Sequence, residues 1–282
     1  MNLLNDKNNT PLVTHLSSPS LLTGGGTGGG SLTFLGTGTS CGVPVVGCDC
    51  EVCKSKDPRD TRLRTSALLE SDTTRILIDC GPDFRQQSLR IPFRKIDGVL
   101  LTHIHYDHVG GMDDLRPFCK FGDIDVYANQ HTSDALHQTM PYVFGENLYP
   151  GVPKIKLHVA EPYREFKIGD IPVMPFFVMH KSLPIYAYRF GTLAYITDMK
   201  TISDRDAECL NGVETLIINA LRFEPEHPAH LLVDESIAFA RRIGAKRTYF
   251  IHTTHDIGLH DAANAQLPEG FMFAYDGLKI EV

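Results

Sequence analysis

The sequence predicts a layered α/β protein. Short β-rich apolar runs recur along the 282 residues and alternate with turns and at least one amphipathic helix. No internal repeat of 20–50 residues interrupts this pattern, and a hydrophobic content of 42% is sufficient to bury a large core. Polar residues cluster where apolar runs end, which is where binding and catalytic sites are usually built.

The predicted elements follow in order. Residues 1–30 are rich in Ser, Thr, Asn and Gly and end in "TGGGTGGG", which predicts a flexible tail. Residues 41–64 lack periodicity and are expected to form a long loop, and a helix is expected to begin in "GGMDDLRPFC". The predicted strands include 31–36, 66–70, 75–79, 98–101, "IDVYA", "KIKLHVA", "IPVMPFFVMH", "IYAYRF", "LAYITD", 215–220 and 247–252.

The clearest helix is predicted at residues 231–243. Val233, Ile237 and Ala240 share one of its faces, and Gly244 is expected to end it.

Composition restricts the class of protein. The net charge of −7 argues against a broad basic surface for long nucleic acid. No apolar run approaches the roughly 20 residues of a membrane helix, and the N-terminus lacks the pattern of a secretory signal. The seven cysteines form no obvious disulfide framework, so we expect a cytoplasmic protein.

The stretch "LLTHIHYDHVGG" indicates a metal site. It places His103, His105, Asp107 and His108 within six residues, directly after an apolar run. Imidazole and carboxylate suit Zn²⁺, Mn²⁺ or Fe²⁺, and these residue types do not separate the metals. Two ions about 3.5–4 Å apart need further ligands, including a bridging carboxylate. His180, Asp198 and His252 each end a later apolar run and are candidates.

This set of residues resembles that of the metallo-β-lactamase superfamily over residues 31–282. The resemblance implies a single-domain αββα sandwich with two metal ions at one edge. It assigns His103, His105 and His180 to the first ion, and Asp107, His108 and His252 to the second, with Asp198 as the bridge. Asp79, which ends "RILID", is expected to orient a ligand histidine.

A second cluster lies in "GCDCEVC". Cys48, Cys50 and Cys53 have a spacing common in structural zinc sites, which take a fourth N or S ligand. His255, three residues beyond His252, is the candidate for that ligand. The Cys loop, the His-x-x-His pair and the opening "FLGTGTSCGVP" together resemble the PhnP type of phosphodiesterase, which acts on cyclic phosphodiesters.

The resemblance implies a phosphodiesterase in which a hydroxide bridging two metal ions attacks a small phosphodiester substrate. His230 is expected to protonate the leaving oxygen, with His227 as its rival, and Asp107 and Asp198 are also expected to act in catalysis. Neither the natural substrate nor the oligomeric state follows from the residues, although a homodimer is the commonest default.

Other functions remain open at this stage. A tRNA 3′-processing endonuclease would share the ligands, but only 17 residues separate His180 from Asp198, which leaves no room for a tRNA-gripping arm. A thioester hydrolase of the glyoxalase II type would not explain His230 or the cysteine cluster. The absence of an export signal argues against a β-lactamase, and the complete ligand set argues against a non-catalytic metal-binding scaffold.

Overall fold

Two seven-stranded mixed sheets form the centre of the protein. The structure is a computed structural model that describes residues 30–145 and 148–282, so the tail predicted at 1–30 falls almost entirely outside the described residues. The first sheet contains, from edge to edge, β14 (Lys279–Glu281), β1 (Ser31–Gly36), β2 (Ser66–Glu70), β3 (Arg75–Ile78), β4 (Gly98–Leu100), β5 (Ile124–Ala128) and β6 (Ile155–Val159). The second contains β13 (Phe271–Phe273), β12 (Arg247–Ile251), β11 (Thr215–Asn219), β10 (Leu193–Tyr195), β9 (Leu183–Phe190), β8 (Ile171–His180) and β7 (Phe166–Ile168).

Each sheet is antiparallel in one half and parallel in the other. The pairs from β14 to β3 are antiparallel and those from β3 to β6 are parallel. In the second sheet, β7 to β10 are antiparallel and β10 to β13 are parallel. Parallel strands bring their carboxyl ends to the same edge, so residues that follow them can meet there.

Helices accompany the two sheets, and none of those in the described residues is long and apolar enough to cross a membrane. The α-helices are α1 (Phe84–Ser88), α2 (Tyr106–Val109), α3 (Gln130–Thr139), α4 (Pro141–Phe144), α5 (Asp204–Ala207), α6 (Val233–Ile243) and α7 (His260–Asn264). Short 3₁₀ helices occur at Pro58–Asp60, Met112–Phe121, Glu208–Leu210 and His255–Ile257.

Alternating side chains divide the core into layers. In β3, Ile76 and Ile78 face the central core, whereas Leu77 belongs to the outer core of the first sheet. In β11, Ile217 faces the central core and Leu216 packs in the outer core of the second sheet. Strands buried on both faces need apolar residues at every position, which explains the continuous apolar runs in the sequence.

The predicted strands agree with the structure to within a few residues. The segment expected to begin a helix after Gly111 differs: Met112–Phe121 is a 3₁₀ helix that contains Pro117. Proline lacks the N–H that a regular α-helix needs there and clashes with the preceding turn. The α3 helix, capped by the Asn129 side chain, which accepts a hydrogen bond from the Thr132 N–H, was absent from the sequence interpretation.

The end of α6 generates a stability prediction. Gly244 adopts a left-handed conformation with φ 76°, as expected for a glycine that ends a helix. A Gly244→Ala substitution should lower the free energy of unfolding by about 1 kcal/mol, because alanine is strained at positive φ. Gly244→Asn is the matched control and should lose less, since asparagine tolerates this conformation. Equal urea midpoints for the two variants and the unsubstituted protein would contradict the argument.

Candidate metal centre

The predicted ligands meet at one edge of the two sheets. Asp79 directly follows β3 and His252 directly follows β12, while His180 is the last residue of β8. His103 lies three residues after β4, and Asp198 lies three residues after β10. The strands of both sheets therefore deliver polar side chains to a common region.

Three of these strand-end residues have left-handed backbones. The φ angles are 59° at Asp79, 55° at Asp198 and 55° at His252. This conformation is uncommon for residues other than glycine, and it persists only where surrounding contacts enforce it. At Asp79, the backbone N–H donates to the Leu100 carbonyl at 2.9 Å. Such strain at three residues of one cluster is typical of a functional site.

The structure brings all seven predicted ligands of the dinuclear site together. Candidate ligand atoms lie within 4.8 Å of one another in four overlapping groups. The groups are His103–His105–His180, His103–His108–Asp198, Asp107–His108–His252 and His180–Asp198–His230. The first and third groups contain the residues that the resemblance assigns to the first and the second ion. Asp198, the expected bridge, lies in one group with His103 and His108 and in another with His180.

Hydrogen bonds determine which ring nitrogen each histidine presents. His108 donates from Nδ1 to Asp79 Oδ2 at 2.7 Å, and His180 donates from Nδ1 to the Ala229 carbonyl at 3.1 Å. Carboxylate and carbonyl oxygens only accept, so Nδ1 carries the proton in both rings. The Nε2 atoms of His108 and His180 are therefore left with free lone pairs when the rings are neutral.

Asp79 also acts on His103 through Thr102. The Thr102 hydroxyl donates its single proton to the Asp79 carboxylate at 2.9 Å and must then accept from His103 Nδ1 at 3.0 Å. Asp79 thus orients two candidate ligands, which supports its expected role. Sequence reasoning did not identify Thr102, although a hydroxyl residue immediately before the first histidine was visible in "LLTH".

The distances fit a metal ion. His108 Nε2 lies 3.2 Å from Asp198 Oδ2 and 3.3 Å from Asp107 Oδ2, and His252 Nε2 lies 3.1 Å from Asp198 Oδ1. Ligand atoms about 2.05 Å from one tetrahedral ion stand roughly 3.4 Å apart. Among the described residues, the buried Nε2 atoms of His103, His108 and His252 have no hydrogen-bond partner. Imidazole nitrogens and carboxylate oxygens that converge at this spacing suit divalent cations.

The electrostatics of the cluster require positive charge. Burial alone would raise the pKa of Asp198, but His252 and His108 outweigh it and hold that pKa well below its ordinary value. Burial likewise opposes a charge on His108, yet the Asp198, Asp79 and Asp107 carboxylates raise its pKa well above the usual value. The negative charge of these buried carboxylates must be neutralised, and a metal ion bound between them and the imidazoles would do so.

His230, the predicted general acid, borders the same cluster. Its Nδ1 lies 3.6 Å from Asp198 Oδ1, and its ring centroid lies 4.8 Å from those of both His180 and His252. Burial and the neighbouring His252 lower the pKa of His230 to about 3. The rival, His227, stacks on the outer side of the group with its centroid 4.9 Å from that of His230, and Ala229 N–H donates to its Nδ1.

The four residues of the second predicted site also converge. Sγ of Cys48, Cys50 and Cys53 and a ring nitrogen of His255 lie within 4.8 Å of one another. His255 Nδ1 is 3.1 Å from Cys50 Sγ and 3.7 Å from Cys48 Sγ. The Cys53 N–H, and next His255, lower the pKa of Cys50 to about 6, whereas burial raises that of Cys53 to about 11. Zinc would favour the thiolate form of all three cysteines.

Comparison with known proteins identifies the family. A model described as the beta-lactamase superfamily domain matches residues 74–253, which is more than half of the chain. The chain belongs to the metallo-β-lactamase superfamily. The crystal structure of a diphosphatase from the PhnP family is 41% identical, with a TM-score of 0.83, and the match covers 90% of this chain and 97% of that one. This metallo-β-lactamase fold is therefore of the PhnP type, as predicted.

Two curated relatives are named for activities other than that of a diphosphatase. An octanoyltransferase of Porphyromonas gingivalis is 46% identical over 247 residues, which are 87% of this chain and 50% of the relative. An exodeoxyribonuclease YycJ of Bacillus anthracis is 30% identical over 173 residues, which are 57% of this chain and 58% of the relative. The metallo-β-lactamase chain thus spans about half the length of the curated relatives it matches.

We predict that Asp79→Ala lowers metal affinity about 10- to 100-fold, because His103 and His108 lose the partner that orients them. The measurement is metal retained after dialysis against a graded chelator. Asp83→Ala is the control, since that carboxylate pairs with Arg64 at 2.9 Å and not with a candidate ligand. Equal retention by the two variants would refute the orienting role.

The loop that contains Cys48, Cys50 and Cys53 is expected to contribute to stability through zinc. Cys50→Ala should lower both zinc content and melting temperature, because structural zinc contributes directly to folding. Cys41→Ala is the control, as Cys41 is exposed and lies outside the four-residue group. Unchanged zinc and melting in Cys50→Ala would contradict the assignment.

Proposed function

We propose that the protein is a dinuclear metal-dependent hydrolase of small phosphodiesters, including cyclic ones. The observation that carries this proposal is the convergence of the seven candidate ligands, with Asp198 placed between the two sets. A carboxylate oxygen of Asp198 lies within 4.8 Å of ligand atoms of His103 and of His180, which belong to the first set. Its Oδ2 is 3.2 Å from His108 Nε2 and its Oδ1 is 3.1 Å from His252 Nε2, and these two histidines belong to the second set. Both oxygens of one buried carboxylate are thus directed at candidate ligands.

The residues fit two divalent ions, of Mn or Zn. His103, His105 and His180 would hold the first, Asp107, His108 and His252 the second, and Asp198 would be shared; Cys48, Cys50, Cys53 and His255 would hold a structural zinc. When bound, the two ions would lower the pKa of a shared water and neutralise charge on the phosphoryl oxygens.

The carboxylates keep the reacting region charged and ordered. Burial would raise the pKa of Asp107, but His108 and His252 reverse that effect and lower it. Asp107 and Asp198 therefore remain ionised at neutral pH and accept from any proton donor between them. The negative charge of Asp198, whose Oδ1 lies 3.6 Å from His230 Nδ1, would favour the protonated form of that ring during turnover.

His230 would supply a proton to the leaving oxygen. A pKa of about 3 means that the ring is neutral at pH 7 and retains a single N–H. It would therefore first take up the proton that the attacking water loses and would then give a proton to the leaving oxygen, so that it returns to the neutral form. The ring is buried beside Asp198, whereas His227 lies further from the carboxylates, which favours His230 over its rival.

The structure supports a small substrate. His180 pairs with Leu183 across the β8–β9 turn, and only β9 and β10 lie between His180 and Asp198. No arm that could grip a tRNA emerges between these two described ligands. Because some relatives are named as nucleases or as an octanoyltransferase, an assay of this protein should also include a nucleic-acid 3′ end and an acyl thioester as substrates.

The state of the cysteines favours a reducing, cytoplasmic setting. All seven cysteines are free, and three of them lie in the candidate zinc cluster, where oxidation would remove the ligands. We propose the cytoplasm as the location on this chemistry.

The test is hydrolysis of a substrate panel by purified protein with added Mn²⁺. The panel contains bis(p-nitrophenyl) phosphate, 2′,3′-cyclic nucleotides, a short tRNA 3′ extension, single-stranded DNA, and octanoyl and glutathione thioesters. We expect small diesters to be cleaved, Asp198→Ala to be inactive, and His230→Ala to lose about 10²–10⁴-fold in kcat. His227→Ala is the matched control and should retain most of the activity.

Activity confined to a thioester and indifferent to His230 would refute the proposed chemistry while leaving the fold intact. Cleavage restricted to DNA or RNA would instead establish a nuclease. A loss in His227→Ala equal to that in His230→Ala would remove the assignment of the acid.

A further inference from the structure

One histidine of the candidate dinuclear site lacks a hydrogen bond that would orient its ring. His108 donates from Nδ1 to Asp79, and His180 donates from Nδ1 to the Ala229 carbonyl. Among the residues that the structure describes, the buried Nδ1 of His252 has no such partner. Histidine ligands usually donate their second ring N–H to a carboxylate or a carbonyl that fixes them. His252 must therefore be positioned in another way.

The main chain provides that position. His252 has a left-handed backbone with φ 55°, and its ring stacks on His230 with the centroids 4.8 Å apart. The next residue, Thr253, donates its N–H to the Thr37 carbonyl at 3.1 Å and accepts from the Thr39 N–H at 3.2 Å. A left-handed residue persists only where surrounding contacts enforce it. The contacts of Thr253 with the loop after β1 therefore hold His252 in place.

That loop is fixed in turn by a buried arginine. Arg62 is 2% exposed, and its Nη1 donates to Thr37 Oγ1 at 2.9 Å and to the Ala274 carbonyl at 2.5 Å. The Thr37 hydroxyl donates its own proton to Asp276 Oδ1 at 2.9 Å. A hydroxyl has one proton and two lone pairs, so both of its bonds form together. Arg62 thus holds the Thr37 side chain while the Thr37 carbonyl holds Thr253.

The main chain of Arg62 is also fixed against this loop. Its N–H donates to the Val43 carbonyl at 2.7 Å, and its carbonyl accepts from the Val43 N–H at 2.8 Å. A Cβ at Gly38, between the two threonines, would lie 2.9 Å from the Arg62 carbonyl oxygen and 3.0 Å from its Cβ. Glycine at this position is explained by the close approach of the two segments.

Arg62 remains charged in this buried setting. Burial lowers its pKa to about 10, and the Asp276 and Asp60 carboxylates oppose that effect. Its Nη2 donates to His260 Nδ1 at 3.2 Å. A buried charge is retained only where it is paired and hydrogen-bonded, and the planar guanidinium directs several donors in fixed directions. This charge takes no part in the proposed hydrolysis, so its effect on the site must act through the residues that it holds.

We propose that Arg62 is a positioning residue for the second metal ion, acting through Thr37 and Thr253 on His252. The inference rests on the proposed function and deepens it, because it assigns a residue to one of the two ions. The histidines that would hold the first ion follow β4 or end β8, and no described hydrogen bond or ion pair joins Arg62 to them. Loss of the guanidinium should therefore weaken one ion and spare the other.

The test is the number of Mn²⁺ ions bound per chain in equilibrium dialysis, with zinc counted in the same samples. The unsubstituted protein should bind two Mn²⁺ ions. Arg62→Lys should retain the affinity for one and bind the other about tenfold more weakly, because lysine keeps the charge but not the fixed donors. Arg75→Lys is the control, since Arg75 is also buried but pairs with Glu70 at 2.8 Å, at the start of β3 and away from Asp79. It should leave both affinities unchanged.

A double-mutant cycle shows whether Arg62 acts through His252. Added to His252→Ala, Arg62→Lys should change the remaining Mn²⁺ affinity less than about twofold, because the ligand that it positions is gone. Added to His180→Ala, it should again weaken binding about tenfold. A general loss of stability would instead have the same effect in both backgrounds. If Arg62→Lys does not fold, Thr37→Val takes its place and should weaken the same ion about threefold, since it removes only the hydroxyl.

The outcomes separate the two proposals. Equal weakening of both ions, an undiminished effect beside His252→Ala, or equal effects of Arg62→Lys and Arg75→Lys would overturn the positioning role. Loss of zinc together with Mn²⁺ would also overturn it, because the whole loop would then have been disrupted. If two ions bind and diesters are cleaved but Arg62→Lys binds both ions normally, only the positioning role fails. If the unsubstituted protein binds fewer than two Mn²⁺ ions, the proposed function fails and the positioning role with it.

Discussion

The carboxylate of Asp79 organises the centre of the molecule. It accepts hydrogen bonds from His108 Nδ1, from the Thr102 hydroxyl and from the Thr102 N–H. Through the hydroxyl it also sets the protonation of His103, so a single buried group determines the tautomers of two candidate ligands. The same contacts join the end of β3 to the segments that follow β4 and to α2. Fold and site are therefore connected by one residue that would not itself touch a metal ion.

This arrangement costs free energy in the absence of a cation. Asp79 and Asp198 are buried, and each has a strained left-handed backbone. Such strain costs about 1–3 kcal/mol at each residue, and a buried carboxylate requires neutralisation. Pairing with histidines provides part of that neutralisation, and bound divalent ions would provide the rest. The ligands are consequently held in place by the two sheets, so that little reorganisation would accompany metal binding.

The two candidate metal sites are mechanically linked. His252 and His255 belong to one four-residue stretch, and Thr253 between them exchanges hydrogen bonds with the loop after β1: its N–H donates to the Thr37 carbonyl at 3.1 Å and its carbonyl accepts from the Thr39 N–H at 3.2 Å. The Cys loop is held against this stretch by His255. A structural zinc would thereby stiffen the segment that contains His252, a ligand of the candidate dinuclear site.

Much of this protein follows from local sequence. Strands buried on both faces require continuous apolar residues, so their positions could be predicted closely. The residue types and spacing of "HIHYDH" and "GCDCEVC" predict metal binding. Sheet topology decided which distant residues meet at the candidate metal centre. Parallel strands align the ends that carry Asp79, Asp198 and His252, and no local sequence pattern encodes that alignment. The hydrogen bonds through Thr102 and the carbonyl partner of His180 were also decided by tertiary structure. Each depends on directions of side chains that become defined only when separate segments pack together, whereas composition and periodicity report only what each segment can bury.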